Sequence, residues 1–377
     1  MEVYSNTIMM DRDDVVGDVI DCSYKSKEGE LIGRPRIIVI GTGGAGNNSV
    51  TLMNKLGIKG AEIFAVNTDL QALQLADADK KILIGKNLTL GRGAGGDPEL
   101  ARRCMEVSRK VFEGLLRNAN LVFIIAGMGG GTGTGSAPII AQIAKEMGAI
   151  VVGIVTTPFN IERDRCNKAK VGVRNLKKIA NSTIILDNNK LLHFVGNRPI
   201  NTAFNMIDQL IAEIIMGVTE TITEPSLINL DFADLKSVMN AGGTATILYG
   251  ESSSMDPESI VQNTLNNPLY KVDLKKVTGA LIHITSGNNL TLKSTEIIAN
   301  GITKDLNKKV EVIIGARLDP RVQNSIKVIA ILTGLDEKEH STTNYRKNKF
   351  DMRRVNKHLE PDIQSRNFGK WDIPLIR

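Results

Sequence analysis

Two glycine-rich segments, each placed directly after an apolar run, constrain this chain more than any other feature. One segment covers residues 41–47 and follows the run 37–40, while the other covers residues 129–135 and follows the run 121–126. Glycine lets backbone N–H groups turn towards an anion and approach it closely, and a helix that begins behind the loop adds the positive end of its dipole. Two strand–loop–helix units of this kind predict a site for an extended polyphosphate.

The other apolar patterns predict a doubly wound α/β domain and a second, smaller α/β domain. Between residues 35 and 190, β-branched runs alternate with helical stretches, which is typical of a parallel sheet covered on both faces. Apolar residues at three- and four-residue spacing then predict a long central helix from about residue 201 until Pro225. Strands are predicted at 37–40, 62–66, 81–84, 121–125, 150–155, 183–186, 246–249, 280–285, 310–314 and 327–333, with helices near 257–265 and 291–302.

These patterns divide the chain into five segments. Residues 1–34 form a flexible acidic arm, residues 35–223 the first domain with its central helix, and residues 224–335 the second domain. Residues 336–365 have the polar composition of a linker, and residues 366–377 form a short apolar terminal segment.

Composition and charge exclude several classes of protein. The cysteines, Cys22, Cys104 and Cys166, are far apart and lack a metal-type spacing, which indicates a reducing compartment without a disulfide framework. No apolar run approaches the roughly 18 residues of a membrane span, and the N-terminus has no secretory pattern. The net charge of +6 is not gathered on a recognisable motif and only 4% of residues are aromatic, so we expect no nucleic-acid partner. We expect a cytoplasmic protein.

Taken alone, the first glycine segment leaves two interpretations open. Gly41, Gly43 and Gly46 have the spacing of a dinucleotide fingerprint, with Asp69 as the acid for a ribose. A structural glycine turn at a strand–helix joint explains the same residues equally well. No lysine stands in a Gly-x-x-x-x-Gly-Lys-Ser/Thr setting, so P-loop enzymes are excluded and backbone amides must meet the phosphate charge.

The second glycine segment is more specific, because glycine alternates with threonine over residues 129–135. This pattern matches the signature of the tubulin and FtsZ superfamily. Further segments typical of FtsZ occur in the family's order at residues 43–48, 67–69, 91–96 and 229–234. From about residue 35 to residue 334, the chain therefore resembles FtsZ rather than tubulin.

The resemblance implies the tubulin/FtsZ fold and a GTPase that polymerises head to tail into protofilaments of a cell-division ring. GTP and GDP would be substrate and product, Mg²⁺ would be the cation, and K⁺ is a further candidate. Residues 35–223 would form the GTP-binding domain, and residues 224–335 would form a GTPase-activating domain.

At the phosphates, the resemblance assigns roles to three loops and two polar residues. The two glycine segments would hold the phosphates, a loop at residues 94–96 would sense the γ-phosphate, and Asn67 and Asp69 would lie beside the phosphate and its cation. On the residues alone, Asp69 also fits a turn cap. The loop residues concerned are Gly43, Gly44, Ala45, Gly46, Asn47, Ala94, Gly95, Gly96, Gly130, Gly131, Thr132, Gly133 and Thr134.

At the nucleoside, the resemblance assigns Glu162 to the ribose and three residues to the guanine pocket. Phe204 would stack on the base, and Asp208 would accept hydrogen bonds from its N1 and N2 donors. Asn188 would complete the pocket. On the residues alone, Phe204 also fits the apolar face of its helix.

Hydrolysis is assigned by the resemblance to Asn229, Asp231 and Asp234. Phosphoryl transfer requires an oriented water and electrostatic support for developing charge, which carboxylates beside a cation supply. Asp231 and Asp234 would complete the nucleotide site of the adjacent subunit, so hydrolysis would depend on assembly. Without the resemblance, the same residues fit a helix N-cap with an acid three positions later.

The chain departs from the family's pattern at two places. Cys166 stands where the family usually has an arginine near the nucleotide, with Arg163 and Arg165 close by. Residues 187–190 read Asp-Asn-Asn-Lys instead of the usual Pro-Asn-Asp-Lys, which keeps Asn188 and changes both neighbours. These departures keep open a nucleotide-binding structural polymer with little hydrolysis. A dinucleotide-dependent oxidoreductase is supported only by the first glycine segment.

The C-terminal segment resembles the family's terminal peptide, which binds membrane-tethering adaptors. Trp371 to Arg377 places apolar side chains and an arginine after a polar linker, which suits docking in a groove of a SepF-like or FtsA-like adaptor. A hook packed on the chain's own domain is the alternative. Membrane contact, at the mid-cell division site, would be indirect because the segment has too little apolar length to anchor itself.

Overall fold

The computed structural model describes most of both predicted domains. It covers residues 19–21, 35–190, 200–223, 228, 232–240, 244–253, 256–265, 274–287, 290–319, 322 and 325–335. Asn229, Asp231 and the segment Trp371 to Arg377 lie outside the described residues, as do the linker and the rest of the acidic arm.

Apart from one short strand near the N-terminus, the described strands follow the order that the apolar patterns predict. The strands are β1 Val19–Asp21, β2 Ile37–Thr42, β3 Ala61–Asn67, β4 Lys80–Leu83, β5 Leu121–Gly127, β6 Ile150–Thr157, β7 Ser182–Asp187, β8 Thr244–Ser252, β9 Gly279–Ser286, β10 Glu311–Leu318 and β11 Ile326–Leu335. The helices are α1 Gly43–Leu56, α2 Leu70–Leu75, α3 Lys86–Thr89, α4 Pro98–Val107, α5 Arg109–Leu115, α6 Thr132–Glu146, α7 Arg163–Lys177, α8 Ile200–Thr223, α9 Phe232–Asn240, α10 Pro257–Leu265 and α11 Leu292–Thr303, with a 3₁₀ turn at Leu274–Lys276.

The first domain is a parallel sheet whose central strands end at the same level. The strand order is β4-β3-β2-β5-β6-β7, and all neighbours in this part are parallel, which confirms the doubly wound prediction. Thr42 at the end of β2 pairs with Val66 of β3 and with Ala126 of β5. The carboxyl ends of three neighbouring strands therefore meet at one edge, where ligands bind in open α/β sheets.

The second domain continues the same sheet as a mixed one. β11 is antiparallel to both β8 and β9, whereas β9 and β10 are parallel. A short parallel ladder, in which Thr183 pairs with Thr244 and Ile184 with Ala245, joins β7 to β8. The sequence predicted these strands but not the junction, because two paired residues leave no mark on the apolar pattern.

One short strand lies in the segment that the sequence interprets as an acidic arm. β1, only three residues long, pairs antiparallel with β4 at the edge of the sheet. A strand of this length is too short for the alternation by which strands are recognised in a sequence.

Alternate residues of the central strands face two separate apolar cores. Ile38 and Ile40 of β2 face the core that α4 to α7 cover. Ile37 and Val39 face the opposite core, which includes residues of α1 and of the central helix α8 and extends into the second domain. α8 thus fills the joint between the domains. Among the described residues, no helix is both long and apolar enough to cross a membrane.

A buried ion pair joins the central helix to the second domain. Glu220 of α8 pairs with Arg317 of β10, and their side chains are only 9% and 15% exposed. On the adjacent residue of α8, the Thr221 hydroxyl lies 2.7 Å from Nδ1 of His283 in β9. Burial lowers the pKa of His283 to about 4, with a smaller effect from the Arg317 charge, so the ring is neutral at neutral pH. Polar contacts as well as apolar packing therefore hold the two domains together.

We expect Arg317→Met to lower the free energy of unfolding by roughly 3 kcal/mol, because it removes the guanidinium from a buried carboxylate. Urea denaturation measures this loss, and Arg317→Met combined with Glu220→Gln should recover part of it. Arg102→Met, which breaks the exposed pair with Glu99, is the control and should have no measurable effect. Equal losses in the single and double variants would contradict a coupled pair.

Candidate functional site

Two helices begin inside the glycine-rich segments, at the edge where β2 and β5 end. α1 begins at Gly43, directly after β2, and α6 begins at Thr132 with Gly131 as its N-cap residue. The second helix begins within its glycine-rich segment, since the N–H of Gly135 already bonds the carbonyl of Gly131. Two helix N-termini, each with unpaired N–H groups and a positive dipole end, therefore flank the same edge of the sheet.

Some glycines are required because the first glycine-rich segment packs closely against the second segment and against β5, the strand before it. Gly43 has a φ of +73°, and a Cβ there would lie 2.9 Å from the backbone N of Gly133. A Cβ on Gly127 would lie 2.7 Å from the Cβ of Ala45, and one on Gly46 would lie 2.5 Å from a carbonyl oxygen of β5. The two loops therefore pack directly on each other, and any side chain at these positions would separate them.

Two other glycines have no such reason to be glycine. At Gly44 and Gly130, φ is outside the left-handed region, and a Cβ would have no neighbouring atom within 4 Å. Neither backbone strain nor crowding by the chain itself excludes a side chain there. The open space above these positions fits a group that approaches the backbone from outside, which is what a phosphate cradle requires.

Buried polar side chains fix the shape of the two loops. With its amide turned so that both ends are paired, Asn47 donates to the carbonyls of Gly41 and Val66, at 2.9 and 3.1 Å, and accepts from Asn67 at 3.0 Å. The hydroxyl of Thr134 accepts from the N–H of Gly129 at 2.8 Å. These side chains are thus used within the protein, which leaves an anion to the backbone N–H groups.

The loop that precedes α4 contacts the second glycine-rich segment and Asp69. A Cβ on Gly131 would lie 3.0 Å from the Cβ of Ala94, while Gly95 and Gly96 have φ of +58° and +77° with open space at their Cβ positions. One oxygen of Asp69 caps α2 by accepting from the N–H of Ala72 at 3.0 Å. The capping role predicted as an alternative for Asp69 therefore involves only one of its two carboxylate oxygens.

A side chain of α7 contacts the loop at residues 94–96, which is predicted to sense the γ-phosphate. The ammonium of Lys168 in α7 donates to the carbonyl of Gly96 at 3.0 Å and lies 2.7 Å from Asp164. The hydroxyl of Thr68, which lies between Asn67 and Asp69, is 2.7 Å from the hydroxyl of the predicted site residue Thr132. The loops at residues 43–47, 94–96 and 129–135 therefore form one connected surface.

Asp208 lies beside this surface, on the central helix. Its Oδ1 accepts a hydrogen bond from the Ser49 hydroxyl of α1 at 2.5 Å. Burial raises the pKa of Asp208 to about 6, while the Ser49 hydrogen bond opposes this rise. A carboxylate is thus held in a partly dry position, where its hydrogen bonds to a base are stronger than in water.

Phe204 is not part of the apolar core, although its spacing also fits the apolar face of its helix. Its side chain is 40% exposed, and its ring meets that of Phe159 edge to face, with centroids 6.0 Å apart. Glu162 lies close by, since it accepts from the N–H of Phe159 at 3.1 Å and pairs with Arg165 at 2.7 Å. An exposed aromatic ring at this place suits stacking on a planar base.

Asn188 has the clearest sign of an unfilled contact. It is only 8% exposed, and no described residue donates a hydrogen bond to its Oδ1. Buried polar atoms are normally paired, so an orphan acceptor here suits a donor from a ligand.

The two departures from the family pattern have local structural roles. Asp187 accepts from the backbone N–H of Asn189 at 2.9 Å, and Asn189 accepts from the N–H of Asn160 at 2.8 Å. The Sγ of Cys166 lies 3.3 Å from the carbonyl oxygen of Phe159. The altered neighbours of Asn188 therefore hold its turn against the loop that carries Phe159.

Asp234 is not brought to this surface. It lies in the first turn of α9, whose last residue, Asn240, accepts from the amide of Asn181 at 2.8 Å. Asn181 in turn accepts from the N–H of Val151, at the beginning of β6. α9 therefore packs at the amino edge of the parallel strands, opposite to the edge that carries the glycine loops.

Comparison with known proteins identifies the family to which the chain belongs. A model of the Tubulin/FtsZ family GTPase domain matches residues 36–196, and a model of the FtsZ family C-terminal domain matches residues 243–336. The chain belongs to the FtsZ family. The FtsZ sequence signature at residues 129–135 therefore lies within a tubulin-type GTPase domain, which confirms the resemblance.

Relatives and solved structures agree on the FtsZ assignment. The chain is 53% identical over 307 residues to cell division protein FtsZ 2 of Methanocaldococcus jannaschii. This match covers 80% of this chain and 81% of that protein. It is 50% identical to cell division protein FtsZ 2 of Haloferax volcanii, over 81% of this chain and 77% of that protein. The structure of an empty FtsZ dimer from M. jannaschii superimposes with a TM-score of 0.77 at 41% identity, and covers 80% of this chain and 88% of that one.

Three residues that contact predicted site residues were missed by sequence reasoning. Ser49, Phe159 and Lys168 contact Asp208, Phe204 and Gly96, respectively. Each lies outside the quoted motifs, and contacts between residues so distant in the chain leave no local pattern. Only the position of Ser49, six residues into the helix behind the first loop, gave a usable signal.

We expect Gly44→Ala and Gly130→Ala to fold normally but to bind GDP at least about tenfold more weakly, because the new methyl group enters the phosphate cradle. Titration with a fluorescent GDP analogue measures the affinity, and urea unfolding measures the fold. Gly114→Ala, at a helical glycine that also has open space, is the matched control and should leave binding unchanged. Normal GDP affinity in both site variants would contradict a phosphate cradle at these positions.

The predicted role of Asp208 as acceptor of guanine donors requires its carboxylate form, so we expect protonation below a pKa of about 6 to weaken binding. Affinity for GDP should therefore rise with pH through about 6 and level off above it, with a change of about tenfold per unit below the midpoint. Asp208→Asn is the control that separates this effect from titration of the phosphates themselves. The same pH profile in the variant as in the parent protein would contradict the role of Asp208.

Proposed function

We propose that this chain is a GTPase that polymerises head to tail into protofilaments of a cell-division ring. The two relatives named above are called cell division proteins, and the family model that matches residues 36–196 is a GTPase domain. In this proposal residues 35–223 bind GTP and residues 224–335 activate hydrolysis in the neighbouring subunit.

The geometry of the first domain supports GTP as the nucleotide. The phosphates lie over Gly44 and Gly130, with Gly95 and Gly96 at the γ-phosphate, where open backbone and two helix N-termini favour an anion. Glu162 meets the ribose, while Phe204 stacks on the base and Asp208 accepts its N1 and N2 donors. The observation that carries the choice of guanine is the buried carboxylate of Asp208, since adenine offers no such pair of adjacent donors on that edge.

Asp69 is the residue we assign to the cation. Mg²⁺ is commonly held by one or two carboxylates together with the substrate's phosphates. Among the described residues no group of three or more potential ligands is preassembled, and Asp69 has one oxygen beyond that which caps α2. Mg²⁺ would therefore arrive with the nucleotide, with Asn67 shaping the turn beside it. K⁺ remains a candidate for assembly.

Catalysis in trans is supported by the position of α9. A strand rises by about 3.3 Å per residue, so the six residues of β7 alone separate its two edges by about 20 Å. Asp234 is near the amino edge, whereas the nucleotide loops are at the carboxyl edge. A carboxylate placed so far away acts on a neighbour's nucleotide when subunits stack edge to edge, and Asn229 and Asp231, although outside the described residues, belong to the same segment.

A structural polymer with little hydrolysis is the second candidate, and it is favoured by Cys166 at the family's arginine position. Phosphate release from GTP against protein concentration, with polymer pelleting in the same samples, separates the two. Activity per molecule that rises from near zero above a threshold, together with pelleting, supports the GTPase. Pelleting without phosphate release supports the structural polymer. The absence of both pelleting and phosphate release would overturn both candidates.

Asp234→Ala should bind GTP with unchanged affinity, form long-lived filaments and release phosphate at least about 100-fold more slowly, because the charge that supports the transition state is gone. Asp256→Ala, which removes an acid from the N-terminus of α10 in the same domain, is the control and should retain activity. Loss of GTP binding in Asp234→Ala would contradict the assigned role.

For the partner, we propose that Trp371 to Arg377 docks into a SepF-like or FtsA-like adaptor that links filaments to the membrane at mid-cell. Deletion of these residues should leave GTPase activity and pelleting nearly unchanged and should abolish binding to the adaptor, as measured by co-sedimentation. A deleted protein that no longer polymerises would instead show that the segment packs on its own domain.

A further inference from the structure

The Ser49 hydroxyl connects the phosphate-binding helix to the base-binding carboxylate. Ser49 is buried in α1, six residues after Gly43, and Asp208 lies on α8, which packs against α1. The hydroxyl oxygen lies 2.5 Å from Oδ1 of Asp208 and 3.3 Å from the carbonyl oxygen of Ala45. One side chain thus faces both the phosphate loop and the predicted guanine acceptor.

The two distances identify the partner that receives the proton. A hydroxyl has a single proton to donate, and a separation of 2.5–2.7 Å is typical of an O–H donor bonded to an ionised carboxylate. The contact with Ala45 is longer and resembles the weak bond that serines often make to the carbonyl four residues earlier. Ser49 therefore donates to Asp208, and Oδ1 keeps a lone pair for a second donor.

We propose that Ser49 is a positioning residue that holds the Asp208 carboxylate in the orientation required to select guanine. The proposal rests on the assignment of Asp208 as the guanine acceptor. With Oδ1 fixed by Ser49, the two carboxylate oxygens would be held in place for the base, one for N1–H and one for the exocyclic amino group. Because Ser49 belongs to α1, the placement of the phosphate loop and the choice of base share one rigid element.

The chemistry of Asp208 makes this contact consequential. Burial raises the pKa of Asp208, and the hydrogen bond from the Ser49 hydroxyl opposes this rise. Without the hydroxyl, the carboxyl group takes up a proton at higher pH. A protonated Asp208 presents an O–H where the base also presents donors, so the pair would no longer match.

The test compares Ser49→Ala with Ser49→Thr, which retains the hydroxyl. Competition binding measures the affinities for GDP and for IDP, whose base lacks the exocyclic amino group, between pH 5 and pH 8. Ser49→Ala should weaken GDP binding about tenfold at neutral pH, reduce the preference for GDP over IDP, and move the midpoint of the pH profile upward. Ser49→Thr should restore all three properties.

Ser108→Ala provides the matched control. Ser108 is also buried and donates to the carbonyl four residues earlier, Cys104, but lies away from the site. This variant should retain the parent's preference and midpoint. Should Ser49→Ala fail to fold, Ser49→Cys, whose thiol is a weak donor, should give intermediate values.

Two results have different consequences. Equal weakening of GDP and IDP with an unchanged midpoint in Ser49→Ala would overturn the proposal for Ser49 and leave Asp208 in place. A parent protein that binds GDP no better than ADP would instead overturn the proposed function itself.

Discussion

The direct contact between the two glycine-rich loops is the constraint on which the rest of the site depends. β2 and β5 are adjacent and end in register, so the chain leaves both strands at the same point and must begin two helices side by side. Only the absence of side chains at Gly43 and Gly133 lets those helix starts approach within contact distance. This approach brings two positive dipole ends to one place, and it explains why no lysine is needed to attract phosphate.

The sheet also separates the proposed nucleotide site from Asp234, the proposed catalytic acid. Parallel strands place every loop that follows them at the carboxyl edge, whereas α9 is held at the amino edge through the bond between Asn181 and Asn240. The central helix α8 contacts both domains, since Asp208 bonds Ser49 of α1 and Glu220 pairs with Arg317 of β10. In the proposed function, the nucleotide loops at one edge and Asp234 near the other suit head-to-tail repetition, because each subunit would supply what the next one lacks.

How much could be predicted from the sequence depends on the range of the interaction. The strands of both domains and the helix Ile200–Thr223 follow from local apolar period, which short-range packing dictates. The glycines at the strand ends were recognisable as an anion site, but not which of them pack on each other and which face open space. That distinction needs the distance between Gly43 and Gly133, residues separated by most of a domain. The roles of Ser49, Phe159 and Lys168 were missed for the same reason, as was the ladder between β7 and β8.

The central claim is that one subunit supplies Asp234 to the nucleotide held by its neighbour. Mixing two inactive variants tests it most directly: Asp234→Ala, which binds GTP but lacks the acid, and Asp208→Ala, which retains the acid but has lost the base contact. The account predicts that phosphate release reappears in the mixture and is highest near equal amounts, because an Asp208→Ala subunit completes the site of an Asp234→Ala neighbour. A mixture that stays inactive, although pelleted filaments contain both variants, would contradict catalysis across the interface.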